Sequence, residues 1–228
     1  MKPGPITLLL MLAAASAGAA AEFLPAGFDH EDPKRRLADR IEFPEVGGDV
    51  SAMLSCFSRI DRGGKMEQTG CIAKDSFHAT FAAAVMKAAK KSRVTPAAID
   101  GKPQPIYLQF RVEFIAKDDE RNIILYPNPG YEENVNAYGA DYIAAQRVIG
   151  REPWQDVCPQ RAGFVVLARA FVGEDGRSES PSLERISGIL PAPNCQEAIR
   201  DTILNSAFTP AMADGYPVPS AFVEIFSN

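Results

Sequence analysis

The side chains with the greatest chemical potential in this sequence belong to cysteine and histidine. The cysteines are Cys56, Cys71, Cys158 and Cys195, and the histidines are His30 and His78. No two cysteines form a Cys-x-x-Cys pair, and two histidines are too few for the usual zinc-binding spacings. The sequence therefore predicts no metal site. An even number of cysteines favours disulfide bonds instead, which form in exported chains.

Recognisable catalytic motifs are absent from the sequence. It has no Gly-x-Ser-x-Gly nucleophile elbow and no phosphate-binding loop. His78 follows Asp75 and Ser76, which would suit a hydrolase, but it also begins an alanine-rich stretch with helical periodicity. We therefore expect a histidine on a helix surface and a non-catalytic protein without a cofactor. An enzyme with an unrecognised site is the alternative, and it would require a pocket that gathers His78 with carboxylates.

The first 21 residues have the pattern of a secretory signal peptide. Lys2 supplies a positive charge, residues 6–15 are apolar, and residues 19–21 are small, as at a cleavage site. We expect cleavage after Ala21 and export to the periplasm. The alternative is an uncleaved membrane anchor, but the apolar stretch is shorter than the about 20 residues that a membrane-spanning helix needs.

The overall charge excludes one class of partner. The chain contains 24 Lys and Arg against 29 Asp and Glu, a formal net charge of −5. Nucleic-acid-binding domains typically carry basic patches, so the sequence predicts no nucleic-acid partner. No segment after the leader is apolar enough to cross a bilayer, and we expect a mature chain that does not span the membrane.

A fourteen-residue segment occurs twice. Residues 92–105 read SRVTPAAIDGKPQP and residues 206–219 read SAFTPAMADGYPVP, with eight identical positions at an offset of 114 residues. This period is far longer than a solenoid repeat and has the size of a small domain. The sequence therefore predicts two copies of one module, at residues 49–115 and 161–228.

Each predicted module contains the same order of elements. In the first module, alternating apolar residues predict strands over 50–60 and 106–114, residues 65–73 read as the returning strand of a hairpin, and residues 77–91 have the spacing of an amphipathic helix. The second module repeats this order. The predicted fold class is α+β, with two tandem ββαβ modules, each a three-stranded antiparallel sheet covered by a helix. The register of the last strand of the second module is left open, because the offset of 114 residues pairs the apolar Phe110 with the charged Glu224.

Two segments lie outside the predicted modules. Residues 22–48 form a polar N-terminal arm, which either packs on the first module or is solvated. Residues 116–160 form a partly helical connector, with a helix expected over 140–148. A connector of this length is too long for a simple linker, so we expect it to have structure of its own.

The repeated motif resembles one known family. Phe208-Thr209-Pro210-Ala211, followed by Asp214-Gly215 and by Pro217-Val218-Pro219, resembles the junction before the last strand of the TonB C-terminal domain. Residues 94–103 are similar, and the likeness covers about residues 49–114 and 163–226. The residues that would shape this junction are Pro96, Asp100, Gly101, Pro210, Asp214 and Gly215.

The resemblance implies a mode of binding. In that family the last strand is a sheet edge that accepts an extended partner peptide, which is β-augmentation. Carried over, the partner-binding edge-strand residues would be Tyr107, Gln109, Arg111, Ala221 and Val223. The two modules could instead pair edge to edge, and self-association through the edges is a further option.

Two functions follow from the resemblance. The first is a soluble periplasmic protein that binds an unknown periplasmic or outer-membrane protein through its sheet edges. The alternative is a membrane-anchored energy transducer that retains its N-terminal segment. A true transducer of this family also has a long proline-rich spacer, whereas only about 27 residues separate the leader from the first predicted strand here.

The predicted elements suggest how the cysteines pair. Cys56 and Cys71 lie on the two arms of the first hairpin, nearly symmetric about its glycine turn, and opposed residues of antiparallel strands approach within disulfide distance. Cys158 and Cys195 would join the connector to the start of the second helix. A redox role is the alternative for either pair.

Overall fold

The computed structural model describes residues 21–118, 120–158 and 163–227. All but the last residue of the predicted signal peptide lies outside these ranges. The described residues form four α-helices and several antiparallel sheets, which confirms the α+β fold class.

The helices are α1 (Ser76–Ala89), α2 (Glu132–Tyr138), α3 (Pro153–Val157) and α4 (Pro193–Leu204). The strands are β1 (Phe23–Leu24), β2 (Val50–Ile60), β3 (Met66–Ile72), β4 (Ala98–Ile99), β5 (Lys102–Pro103), β6 (Ile106–Lys117), β7 (Glu120–Tyr126), β8 (Gln146–Val148), β9 (Phe164–Val172), β10 (Ser178–Gly188), β11 (Phe208–Thr209), β12 (Ala211–Ala213), β13 (Tyr216–Val218) and β14 (Ser220–Ser227).

The first sheet is built around β2. Every second residue of β2, from Val50 to Ile60, is buried, as expected for a strand with one face on a core. β6 pairs with β2 over eleven residues, from Val50 opposite Ala116 to Ile60 opposite Ile106. α1 covers the buried face with Phe81, Val85 and Ala89, which lie on one stripe of the helix.

This sheet is wider than the sequence predicts. Its order is β11-β8-β6-β2-β3, with β7 also paired to β6, so it has six strands where three are expected. The extra strands come from residues assigned to the connector and to the second copy of the motif. Residues 140–148 are not a helix, because residues 146–148 form β8 and pair with β6 on one side and with β11 on the other.

The second sheet has the order β10-β9-β14 and is covered by α4. β14 pairs with β9 from Ser220 opposite Val172 to Ser227 opposite Val165. The buried residues of β14 are Ser220, Phe222, Glu224 and Phe226. At the offset of 114 residues, the same alternate positions are buried in β6, the corresponding strand of the first sheet. Glu224 occupies a core position without any slip in register.

Both copies of the repeated motif form a tight hairpin. β4 and β5 are joined by Asp100 and Gly101, and β12 and β13 by Asp214 and Gly215. All four residues have positive φ, between 50° and 82°, which is the requirement of a type I′ turn. Asp and Gly are among the residues that tolerate this conformation best, which explains why the pair occurs in both copies.

The N-terminal arm packs on the first half of the chain. Ala26, Leu37 and Ile41 are buried in the same core as β2, β6 and α1. Gln146 of β8 fastens the arm, because its side-chain amide donates to the Ala26 carbonyl at 2.9 Å and accepts from the Ala26 N–H at 2.8 Å.

Candidate functional site: the sheet edges

The strand that carries Tyr107, Gln109 and Arg111 is not an edge. β6 pairs with β2 on one side, and its other side pairs with β8 at Tyr107 and with β7 from Arg111 onward. The expectation of an edge strand here is therefore wrong, since the connector supplies two strands that occupy its free side.

The side chains at these positions also make internal contacts. Tyr107 is 7% exposed, and burial raises the pKa of its hydroxyl well above the usual value. Arg111 lies over the Tyr126 ring at 4.7 Å and donates to Asn128 Oδ1 at 3.1 Å. These groups serve the packing of the first sheet.

The edge formed by β14, which carries Ala221 and Val223, is partly covered. The Asn134 side-chain amide accepts from the Ala221 N–H at 3.1 Å and donates to the Ala221 carbonyl at 2.8 Å, so it pairs with the strand as a neighbouring residue would. The Tyr138 hydroxyl donates to the Pro219 carbonyl at 2.6 Å. Both side chains come from α2, which therefore shields the start of this edge.

The outer edge of β10 is open. Within the described ranges, β10 pairs with β9 and with no strand on its other side. The N–H and C=O groups of Ala221 point away from β9, toward Asn134. Along an antiparallel strand, successive residues point these groups alternately to one side and to the other. Following the register across β9, Leu183 and Arg185 direct their N–H and C=O groups outward from the sheet.

Exposed aliphatic side chains lie at the end of this edge. Ile186, Ile189 and Leu190 are 53%, 57% and 59% exposed. The preceding stretch of β10 is charged and carries Glu184 and Arg185. The edge thus offers unpaired backbone groups beside an apolar surface, the two features that peptide-binding edges combine.

Side-chain hydrogen bonds connect β10 to β9 and to α4. The Arg169 guanidinium of β9 donates to Glu184 Oε2 at 3.1 Å, and the Ser178 hydroxyl donates to the Ile203 carbonyl of α4 at 2.8 Å. Gly188 has a φ of +73°, and a Cβ at this position would collide with the Gly163 carbonyl oxygen. Two register shifts, between Glu179 and Ser182 and between Arg185 and Ser187, bracket the regular stretch.

A buried cluster of charges lies where the two sheets meet. Arg147 of β8 donates to both Glu224 oxygens at 2.7 Å and to Glu152 Oε1 at 3.1 Å. Glu152 also accepts from the Trp154 indole at 2.8 Å. The Arg147 and Glu224 side chains are 2% and 5% exposed. Because both carboxylates are bound to one guanidinium, this cluster serves to join the sheets.

The pKa values in this cluster reflect burial. Desolvation raises the pKa of the Glu224 carboxyl, and the nearby charge of Glu152 adds to that effect, against the opposing influence of Arg147. Burial alone would lower the pKa of Arg147, but the two carboxylates outweigh that effect and raise the pKa, so Arg147 stays protonated. Sequence reasoning missed Arg147 and Glu152. The one signal was Glu224 itself, a charged residue at a core position of an alternating strand.

The predicted structural residues are found in turns and bridges. Pro96 and Pro210 precede the two hairpins, and Asp100 binds the Glu22 N–H through Oδ1 at 3.0 Å. Both expected disulfides are present, Cys56–Cys71 and Cys158–Cys195. His78 is on the surface of α1, where its Nδ1 lies 2.8 Å from Oδ1 of Asp75, the N-cap residue.

No group of three or more His, Cys, Asp or Glu in the described ranges could hold a metal ion. None of the helices described is long and apolar enough to cross a membrane. Comparison with protein-family models, with curated proteins and with solved structures finds no match for this chain.

Proposed function

We propose that this chain is an exported, non-catalytic protein that binds an extended segment of a partner protein along the outer edge of β10. The observation that carries the proposal is the contrast between β10 and the two strands that the sequence predicted as edges, β6 and β14. β6 is paired on both sides and Asn134 shields the start of β14, whereas no described residue pairs with the outward backbone groups of Leu183 and Arg185 in β10. A strand edge with unpaired backbone groups readily pairs with another chain, and here it borders exposed aliphatic residues.

The proposal includes a duplicated module that resembles the TonB C-terminal domain. Gly64 lies in the turn between β2 and β3, and its carbonyl accepts a hydrogen bond from the Val94 N–H at 2.9 Å. Gly176 lies in the turn between β9 and β10, and its carbonyl accepts one from the Phe208 N–H at 3.1 Å. Val94 and Phe208 are separated by the repeat offset of 114 residues. Gly64 and Gly176 are 112 residues apart, two fewer than the offset, so the contact recurs at nearly equivalent positions. This recurrence supports two copies of one ββαβ unit, of which the first has gained strands from its surroundings.

Further repeat positions support the duplication. Ser92 and Ser206 each donate a hydroxyl hydrogen bond to the carbonyl four residues earlier, at 2.9 Å and 2.6 Å. If the units are copies, the partner-binding edge has moved from the last strand to β10, because the last strand is paired on both sides in the first unit and is shielded at its start in the second.

The proposed location is the periplasm. Two disulfide bonds join all four cysteines, and disulfides persist in oxidising compartments. The leader sequence up to Ala21 supports export.

The test uses substitutions at Arg185. Peptides selected by display on the full chain would be measured against Arg185→Pro, which removes the outward N–H, and against Arg185→Ala, which keeps it. We expect Arg185→Pro to weaken binding about tenfold or more and Arg185→Ala to change it little. In the wild type, the bound peptide should protect the Leu183 and Arg185 amides from hydrogen exchange.

Two results would overturn the edge assignment. One is equal peptide binding to both variants, and the other is protection confined to other strands. Concentration-dependent dimerisation that protects the same amides would instead show that the occupant of the edge is a second copy of this chain.

A further inference from the structure

A cavity of about 530 Å³ opens between the arm, the connector and the second motif hairpin. Its volume lies within the range of about 300–1,000 Å³ typical of ligand pockets. It is separate from the β10 edge, because its lining contains no residue of β9 or β10.

The apolar part of the lining comes from distant segments. Leu24 belongs to the arm, Tyr138, Tyr142 and Ile143 to the connector, and Met212 to the second hairpin. Leu24 is 51% exposed, so part of this apolar surface faces solvent. Such surface favours a ligand that brings apolar groups of its own.

The walls of the cavity are joined by backbone hydrogen bonds. Ile143 and Met212 exchange two bonds of 2.9 Å each, and Gly27 and Thr95 exchange two of 3.3 Å and 2.8 Å. The cavity is therefore formed before any ligand binds, and binding would not require these segments to become ordered.

The charged groups of the lining all have one sign. Asp29, Asp141 and Asp214 line the cavity, one from each segment, and no described Lys or Arg does. Within the described ranges none of these carboxylates forms an ion pair. Asp29 accepts a hydrogen bond from the Thr95 hydroxyl at 3.0 Å, which fixes its position.

We propose that this cavity binds an arginine side chain of a peptide, with apolar neighbours of that arginine on the apolar lining. A guanidinium presents five N–H donors in a plane and matches carboxylates better than an ammonium does. Three carboxylates that form no ion pair with any described residue, next to an apolar surface, complement a positive charge flanked by apolar groups. This site is independent of the proposed edge pairing at β10.

The probe is the peptide acetyl-Leu-Arg-Leu-amide, measured by titration calorimetry against the full chain. The control peptide replaces arginine with citrulline, which has nearly the same shape and no charge. We expect the arginine peptide to bind about tenfold or more tightly than the citrulline peptide at low salt. Its affinity should fall as salt screens the carboxylates.

Substitutions in the lining test the location. Asp141→Asn and Asp214→Asn should each weaken arginine-peptide binding about threefold to fivefold and leave citrulline-peptide binding unchanged. Asp118→Asn is the matched control, because Asp118 is exposed and has nearly the same φ as Asp214, 50° against 51°.

The proposal fails if the two peptides bind equally, or if neither lining variant weakens binding more than Asp118→Asn does. Arg185→Pro should leave binding of this probe unchanged, so failure of the edge proposal and failure of this one give different results.

Discussion

The Arg147 guanidinium and the Glu224 carboxylate form two hydrogen bonds of 2.7 Å inside the protein, from β8 to β14. This contact links the six-stranded sheet to the three-stranded one. It also explains why a glutamate stands at a position that corresponds by repeat to Phe110, a core residue of the first sheet.

Loss of Arg147 should destabilise the protein strongly. Arg147→Met leaves Glu224 and Glu152 buried without their cation, and removal of one partner of a buried pair typically costs about 3–5 kcal/mol. Arg147→Met combined with Glu224→Leu should recover part of this loss, because the double variant buries one carboxylate fewer. Urea denaturation measures both. Equal destabilisation in the single and double variants would contradict the role given to the unpaired charge.

Stability should depend on pH through Glu224. Burial raises the pKa of this carboxyl in the folded protein above its value in the unfolded chain. Between these two pKa values the folded state binds more protons, so the free energy of unfolding falls as pH rises through that interval. Glu224→Gln cannot titrate and should lack this fall.

The measurement is a series of urea denaturations from about pH 4 to about pH 8 on the wild type and on Glu224→Gln. The difference in unfolding free energy between the two proteins should change with pH. A constant difference would show that Glu224 has the same pKa folded and unfolded.

The glycines in the turns that join β2 to β3 and β9 to β10 should resist substitution. Gly64 and Gly176 have positive φ, and a Cβ at either would collide with a backbone oxygen, of Val94 or of Phe208. We expect Gly64→Ala and Gly176→Ala each to cost about 2–4 kcal/mol, because strain and displaced backbone combine.

Gly215→Ala provides the control for these two variants. Gly215 also has positive φ, but no atom lies within 4 Å of its hypothetical Cβ. Its substitution should therefore cost only about 1 kcal/mol, the conformational part alone. Thermal unfolding of the three variants separates the two contributions, and similar losses in all three would show that the collision is relieved without cost.

Removal of the side chain that shields β14 should expose that edge. Asn134→Ala leaves the N–H and C=O of Ala221 unpaired, which should cost about 1–3 kcal/mol and favour self-association. Glu133→Ala, on the exposed surface of the same helix, is the control. Sedimentation velocity at several concentrations measures the association. A monomeric Asn134→Ala protein would show that the edge needs no shield.

Much of the local structure was predictable from the sequence. The alternation of apolar residues over 50–60 and 106–114 locates β2 and β6 because a strand half buried against a core has a period of two residues. The Asp-Gly pairs mark both type I′ turns. Glu224 stood out as an anomaly, but its partner Arg147 lies 77 residues earlier, in a segment that the sequence predicted as a helix and that instead contains a strand.

The sequence by itself determined the α+β class, the repeated Asp-Gly turn and the Cys56–Cys71 pair, because each depends on nearby residues or on a regular pattern. Only the tertiary structure decided that β7 and β8 cover β6, that Asn134 shields β14, and that β10 keeps an open edge. Strand pairing of this kind uses backbone groups that every residue carries. The sequence therefore contains little local record of which edge another segment will cover.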